Sequence, residues 1–179
     1  STNLYKFQNA VEKKFNKKFT NYKKFWQWSN SHSGQFWSFL IEHFDIPLTK
    51  KKTFKVLNLK SDFWRTVFFD KSLVNYYQLI FNNVSQDLAI HFVGENEFEE
   101  KLTYKNLNDR VNSLSNYFKL LNIKKGDVIA GYLPNIPDTI ISFLAAAKIG
   151  AVWSLCSSDF GMEAVVDRFS QLNPKILII

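Results

Sequence analysis

The sequence predicts an α/β fold, and three observations in its last third support this class. Three short apolar runs alternate there with two helical patterns, in the order strand, helix, strand, helix, strand. The runs are continuously apolar rather than alternating, which is typical of strands covered on both faces. Pro137 stands where a first helical residue is favoured, and Gly150 stands where a helix ends. This order predicts parallel strands joined by crossover helices.

The apolar pattern of the last third also places each element. We expect three strands, over residues 128–133, 151–156 and 175–179. The helix from Pro137 to Gly150 has an apolar face made of Ile140, Ile141, Leu144 and Ala145. We expect Lys148 of this helix to lie at its boundary with solvent. The second helix opens at Gly161 and carries Val165, Phe169 and Leu172 on one face.

The first third of the chain predicts three helices. Apolar residues at helical spacing indicate the first, and they are Leu4, Phe7, Val11 and Phe15. We expect Thr20 to cap the second helix and Ser33 to cap the third, because both hydroxyls can accept a backbone N–H. The large apolar residues of these two helices are Phe25, Trp26 and Trp28, then Phe36, Trp37, Leu40, Ile41 and Phe44.

Between these two parts, the sequence predicts a loop, a short helix and a hairpin. Lys50, Lys51 and Lys52 read as an exposed loop, residues 56–59 as extended chain, and residues 73–81 as a helix. Residues 88–93 and 98–104 are expected to form antiparallel strands. The next helix has an apolar face of Leu107, Val111, Leu114, Phe118 and Leu121. Either Thr103 or Asn106 would cap it.

Composition and charge exclude several classes of protein. With 46% hydrophobic and 17% aromatic residues, the 179-residue chain is unlike a disordered one. The longest nearly apolar span is interrupted by Lys148 and Gly150, so we expect no membrane span. The first residues show no secretory signal. Cys156 is the only cysteine, which leaves no internal disulfide and fits a cytoplasmic location.

Positive charge is concentrated at the start of the chain. Residues 1–60 hold twelve lysines against three acids, a net charge of +9, and the rest carries −2, which together give +7. Such a segment could meet nucleic acid or an anionic membrane surface. The chain has only three arginines, however, and base readout relies on arginine. We therefore expect no nucleic-acid partner and interpret the basic helices as scaffold.

Motifs for common chemistries are missing from the sequence. It contains neither a Gly-x-x-x-x-Gly-Lys-Ser/Thr loop nor a Gly-x-Gly-x-x-Gly turn. His32, His43 and His91 lack the spacing of metal ligands, so we expect no metal site. The one candidate for ligand contact is the loop from Ser157 to Gly161. It follows the carboxyl end of a predicted parallel strand, where open α/β sheets bind ligands.

Several ordered segments carry a resemblance to a known family. They are Lys124-Lys125-Gly126-Asp127 with Gly131-Tyr132-Leu133-Pro134-Asn135, Phe143-Leu144-Ala145-Ala146-Ala147 with Gly150-Ala151-Val152-Trp153-Ser154, and Ser158-Asp159-Phe160-Gly161 with Asp167-Arg168-Phe169-Ser170-Gln171. The sequence resembles the acyl-CoA synthetases of the adenylate-forming superfamily and, within it, the acetoacetyl-CoA synthetases. The helices of the first third are similar to the front segment of the same enzymes. The resemblance implies a helical segment over residues 1–85, and the start of the AMP-binding large domain, with an incomplete parallel sheet, over residues 86–179.

The resemblance also implies a reaction. Such an enzyme would be an acid–thiol ligase of lipid metabolism that activates acetoacetate with ATP and Mg²⁺ and transfers the acyl group to CoA. In this family the phosphate-binding loop and the catalytic lysine follow the segment that resembles this chain. We therefore expect no catalytic residue here, no activity of the chain alone, and no tight binding of these cofactors. The acid itself would be bound by the remainder of such an enzyme.

The resemblance places Phe160 and Gly161 beside the CoA nucleotide. A simpler interpretation is that Asp159 caps the following helix and Gly161 only permits a tight turn. Three alternatives for the whole chain stay open. It could belong to a synthetase for acetate or propionate, it could be a non-catalytic binding module derived from a synthetase, or it could be a lysine-rich binder of nucleic acid or membrane surfaces.

Overall fold

A computed structural model describes residues 2–49, 57–58, 62–70, 72–95 and 97–179. The chain divides into two compact units, Ser1–Val74 and Asn75–Ile179. No helix within the described ranges is long and apolar enough to cross a membrane. The predicted loop at residues 50–52 and the outer residues of the predicted extended segment 56–59 lie outside the described residues. The domain limit after residue 85 stays a prediction.

The first unit is built on three helices around an aromatic core. Its elements are α1 (Asn3–Phe15), α2 (Tyr22–Ser31), α3 (Ser33–His43), strand β1 (Leu57–Asn58), a single 3₁₀ turn (Phe63–Arg65) and strand β2 (Val67–Phe68), which pairs antiparallel with β1. Among the residues that the structure describes, five buried ones form the core, namely Phe7, Val11, Phe25, Trp28 and Phe39. The helical spacing of the large apolar residues explains this arrangement, since it places them on one face of each helix.

The predicted caps of the second and third helices are wrong. The Asn21 side chain, not Thr20, accepts the N–H of Lys24 and caps α2. Ser33 is already the first residue of α3, and its hydroxyl donates to the Asn30 carbonyl at 2.6 Å. Both errors shift a helix start by one residue. At α2 two neighbouring residues of capping type compete for the same position, and at α3 the N-cap is His32, which makes no side-chain cap hydrogen bond.

Burial within α2 and α3 also differs from the apolar list that the sequence suggested. Trp26 is 53% exposed and Phe44 46% exposed, while Trp37 is half-buried. Phe39, which the periodicity overlooked, is buried in the core instead.

The second unit holds a hairpin, four helices and a parallel sheet. Its elements are α4 (Tyr76–Ile80), β3 (Leu88–Val93), β4 (Glu99–Thr103), α5 (Tyr104–Leu120), β5 (Val128–Tyr132), α6 (Pro137–Ile149), β6 (Val152–Cys156), α7 (Met162–Ser170) and β7 (Ile176–Ile178). Strands β3 and β4 pair antiparallel, as the sequence predicts. Thr103 caps α5 by accepting the N–H of Asn106, which decides between the two candidate caps. Helix α4 is shorter than the predicted helix over residues 73–81.

The three strands that the last third predicts form one parallel sheet in the order β6-β5-β7. Ile129 of the central strand packs into the cluster that contains α5 and α6 residues. Its neighbour Ala130 packs with Val165 and Phe169 of α7. Successive strand residues point to opposite faces, so α6 and α7 cover opposite faces of the sheet. Both faces of β5 are therefore buried, which explains its continuous apolar sequence.

Helix α6 begins and ends where the sequence predicts. Pro137 is its first residue, and Gly150 follows its last turn with a φ of +75°, a backbone conformation that favours glycine. Ile141, Leu144 and Ala145 are buried as expected.

Three other predicted apolar positions of this unit face solvent, since Ile140 is 38%, Leu121 47% and Leu172 38% exposed. Lys148 is half-buried at the boundary with solvent, as the sequence predicts, but it also has partners there. Its ammonium donates to the Asn112 side chain and lies 4.8 Å from the centre of the Tyr77 ring.

Candidate functional site

The loop that the sequence singles out connects β6 to α7 at the carboxyl edge of the sheet. Tyr132 at the end of β5 pairs in register with Cys156 at the end of β6, so both strands finish at the same level. The N–H of Leu133 donates to the Cys156 carbonyl at 3.1 Å and extends this pairing by one bond. The loop from Ser157 to Gly161 therefore starts beside the end of the central strand, which is the edge where open α/β sheets bind ligands.

A tyrosine from the central strand holds this loop. The Tyr132 hydroxyl lies 2.9 Å from the Ser158 carbonyl oxygen and 2.9 Å from the Phe160 carbonyl oxygen. The loop also closes on itself, because the N–H of Phe160 donates to the Ser157 carbonyl at 3.1 Å. These bonds fix the path of the backbone on both sides of Asp159.

Phe160 is held through its ring as well. The ring is half-buried and packs against the cluster of Ala130, Cys156, Val165 and Phe169. The guanidinium of Arg168, two turns into α7, lies 4.2 Å from the centre of the Phe160 ring. A guanidinium at this distance is attracted to the face of an aromatic ring. Phe160 is thus fixed at its backbone from β5 and at its ring from α7.

Neither part of the simpler interpretation of this loop agrees with the geometry. Gly161 itself is the N-cap of α7, and no described side chain caps the helix. The Asp159 carboxylate accepts hydrogen bonds from the Ser157 hydroxyl and from the backbone N–H of Asp159 itself. These two hydrogen bonds lower the pKa of Asp159 below its usual value. It is therefore engaged within the loop and not at the helix.

Glycine at position 161 is not required by the local backbone. Its φ is −63°, a value that any residue adopts. A Cβ built on Gly161 would meet nothing within 4 Å, so the space above this residue is open. At Gly131, by contrast, a Cβ would lie 2.6 Å from the Trp153 ring. The described part of the chain offers no packing reason for glycine at position 161.

Two residues of this site, Tyr132 and Arg168, were not singled out from the sequence. A signal for Tyr132 exists, since a tyrosine at the last position of a buried strand has to place its hydroxyl near a polar group. For Arg168 the signal is weaker, because an exposed arginine on a helix has no fixed partner in a sequence pattern. Cys156 is buried at the strand end and packs as a small apolar residue.

His91 and His43, which the sequence did not assign to a metal site, make ordinary side-chain contacts. Among the residues that the structure describes, no three His, Cys, Asp or Glu side chains come together as a metal site. His91 lies 3.1 Å from Glu99 across the hairpin, and this contact and Lys101 lower the pKa of Glu99, with the Lys101 hydrogen bond as the largest cause. His43 packs against the rings of Phe7, Phe39 and Phe44.

Comparisons with known proteins agree with the fold. The family model for AMP-binding enzymes matches residues 82–179. Acetoacetyl-coenzyme A synthetase from Rhizobium meliloti (strain 1021) is 33% identical over 166 residues, which is 93% of this chain and 25% of that protein. The structure of acetoacetyl-CoA synthetase from Streptomyces lividans superposes with a TM-score of 0.84 at 28% identity, over 96% of this chain and 27% of that one. An acyl-CoA synthetase from Brucella canis covers 58% of this chain and 20% of its own, with a TM-score of 0.55 at 25% identity.

These similarities confirm the fold class and the resemblance to acyl-CoA synthetases. The helices, the hairpin and the parallel sheet match the amino-terminal part of an adenylate-forming enzyme. The chain spans about a quarter of the length of the curated relatives it matches. Since the family model covers more than half of its residues, the chain belongs to the AMP-binding enzyme family.

Proposed function

We propose that this chain forms the amino-terminal part of an acyl-CoA synthetase that activates acetoacetate. In the first step acetoacetate attacks the α-phosphorus of ATP, with Mg²⁺ bound, to give acetoacetyl-adenylate and pyrophosphate. CoA then supplies the thiol that takes the acyl group, and AMP is released. One observation carries the choice of acid: acetoacetyl-CoA synthetases match nearly the whole chain, including the helices ahead of residue 82 where the family model begins.

Within this reaction we assign the loop from Ser157 to Gly161 to CoA rather than to ATP. Three features support the assignment: the position at the carboxyl edge of the sheet, the open space above Gly161, and the uncapped first turn of α7. The chain would place Phe160 and Gly161 against the CoA nucleotide. ATP is held by other residues in this proposal, because the sequence lacks a glycine-rich phosphate loop.

ATP–pyrophosphate exchange tests the proposed reaction. A longer protein that contains this chain should catalyse exchange with acetoacetate, and with acetate or propionate only at a much lower kcat/KM. The 179-residue chain alone should show none, because positioned charges at the phosphates provide most of the rate. Preference for acetate or propionate in the longer protein would establish the alternative acid. Robust exchange by the chain alone would refute the proposal that residues outside this chain hold ATP and catalyse the reaction.

Gly161 provides a test of the CoA assignment. Gly161→Leu should fill the open space and raise the KM for CoA at least tenfold, while pyrophosphate exchange stays unchanged. Gly34→Leu is the matched control, since a Cβ at Gly34 also meets nothing within 4 Å. If both variants keep the parent KM for CoA, Gly161 does not lie beside the nucleotide.

The proposal also includes a compartment and the absence of a nucleic-acid partner. A single cysteine leaves no internal disulfide, which supports a cytoplasmic enzyme. The scarcity of arginine supports scaffold helices rather than a nucleic-acid surface. Filter binding with DNA and RNA at two salt concentrations tests the second point, since tight and steeply salt-dependent binding would contradict it.

A further inference from the structure

We propose that Tyr132 is a positioning residue for the loop that contacts CoA. The inference concerns how the loop is held, and its link to CoA rests on the proposed function. Tyr132 itself would touch neither CoA nor the reacting atoms. Its hydroxyl would keep the segment from Ser157 to Gly161 in one conformation before the ligand arrives.

The two carbonyl groups at the Tyr132 hydroxyl are the first reason. The oxygens of Ser158 and Phe160 both lie 2.9 Å from the same hydroxyl oxygen. Two carbonyl dipoles aimed at one point repel each other unless a donor stands between them. The tyrosine O–H supplies that donor and is shared between the two oxygens. Without it, this part of the loop would lose the interaction that makes the two carbonyls converge.

The planarity of the peptide bond carries this effect to the ligand side of the loop. In a trans peptide the N–H points opposite to the carbonyl of the preceding residue. The Phe160 carbonyl points at Tyr132, so the N–H of Gly161 points away from the central strand. The amides of Gly161 and of the first turn of α7 come from adjacent residues at one helix end, where their partial positive charges add. Tyr132 therefore sets the direction of a backbone donor next to the open space above Gly161.

Replacement of this tyrosine by phenylalanine isolates the effect of the hydroxyl. The Tyr132 ring packs, half-buried, against the cluster of Ala130, Cys156, Val165 and Phe169, and a phenylalanine ring keeps that packing. Phe160 retains its ring contact with Arg168 in the variant. The change therefore removes the bonds to the loop and leaves the fold in place.

Amide exchange in the 179-residue chain is the first test. The N–H of Phe160, which donates to the Ser157 carbonyl, reports whether the loop is closed. In Tyr132→Phe we expect this N–H to exchange roughly three- to tenfold faster, which corresponds to the net free-energy contribution of one hydrogen bond. Tyr117→Phe, at a tyrosine that is 55% exposed on α5, should leave the rate unchanged. Equal rates at Phe160 in Tyr132→Phe and the parent would overturn the proposal.

Kinetics in a longer protein that contains the chain are the second test. Tyr132→Phe should raise the KM for CoA several-fold and leave pyrophosphate exchange and the KM for ATP unchanged. A loose loop with an unchanged KM for CoA would overturn the positioning role. If the longer protein shows no CoA-dependent activity at all, the proposed function fails, while the exchange result at Phe160 still decides whether Tyr132 holds the loop.

Discussion

Gly131 is the position at which one added methyl group should disturb the sheet most. It lies in the central strand, between Leu155 of β6 and Ile178 of β7 in register. A Cβ at Gly131 would stand 2.6 Å and 2.8 Å from two atoms of the Trp153 six-membered ring and 3.2 Å from a Leu155 methyl group. The close approach of the indole therefore requires glycine at this point.

The expected cost of Gly131→Ala follows from two opposing effects. Alanine restricts the unfolded chain more than glycine does, which favours folding by roughly 0.5–1 kcal/mol. Overpacking of a buried site costs about 1–3 kcal/mol, and here the ring has to move because the central strand is hydrogen-bonded on both sides. We expect a net loss of about 1–2 kcal/mol in the free energy of unfolding, with the overpacking effect larger.

A double-mutant cycle with Trp153→Phe measures this effect by urea unfolding. The single ring of phenylalanine is shorter than the indole and lacks its outer atoms Cζ2 and Cη2, so Gly131→Ala should cost much less in the Trp153→Phe background. Gly34→Ala in α3 is the control, because its Cβ meets open space and alanine favours the helix by about 0.5–1 kcal/mol. If Gly131→Ala is as stable as the parent, or costs the same in both backgrounds, the indole does not lie over this glycine.

Three further predictions concern single side chains. Lys148→Ala should lower the free energy of unfolding by about 1–2 kcal/mol in urea titrations, since it removes a charged hydrogen bond and a cation–ring contact; a silent change would show that the lysine is solvated. The pKa of Asp127 is lowered mainly by the hydrogen bond from Lys175, so this carboxylate stabilises the fold above its unfolded pKa and less as the pH falls. Asp127→Asn should therefore lower the stability at neutral pH, and this loss should shrink below about pH 4. Thermal melts across pH measure it, and a loss that does not depend on pH would contradict the prediction. Trp28→Ala should cost about 3–5 kcal/mol and Trp26→Ala less than about 0.5 kcal/mol, because the first tryptophan is 6% and the second 53% exposed; equal losses in chemical unfolding would refute this assignment.

The last third of the chain could be predicted well because the residues that begin and end its helices act through local backbone preferences. Pro137 and Gly150 limit α6 through their own backbone preferences, and these do not depend on distant residues. The continuous apolar run of β5 indicated a strand buried on both faces, and Ile129 and Ala130 are buried. In the edge strands β6 and β7, Leu155 and Leu177 are about half exposed, although their runs are equally apolar. The caps of α2 and α3 were harder to predict. Thr20 and Asn21 are both capping residues, and the packing of the helix decides which of them stands at its start.

The candidate site was likewise predictable only in part. The position of the loop from Ser157 to Gly161 followed from the strand order, since a loop after a parallel strand lies at the carboxyl edge of the sheet. The partners of the loop did not follow from the sequence. Tyr132 is 26 residues from the Ser158 carbonyl that its hydroxyl contacts. The periodicity of a sequence shows which face of its element a side chain occupies. It does not show which polar group of another element that side chain contacts.

Lys148 shows what such long-range contacts do for the fold. The Lys148 ammonium donates a hydrogen bond to the side chain of Asn112 in α5 and lies over the ring of Tyr77 in α4. The Tyr77 hydroxyl in turn donates to Asn108 of α5 at 2.8 Å, and Asn75 donates to the Ala147 carbonyl of α6 at 2.8 Å. Helix α4 has only five residues and no buried residue of its own, so propensity and burial alone would not hold it in place. These polar bonds, together with the packing of Tyr77 and Ile80 against the core, attach α4 to α5 and α6 within the second compact unit.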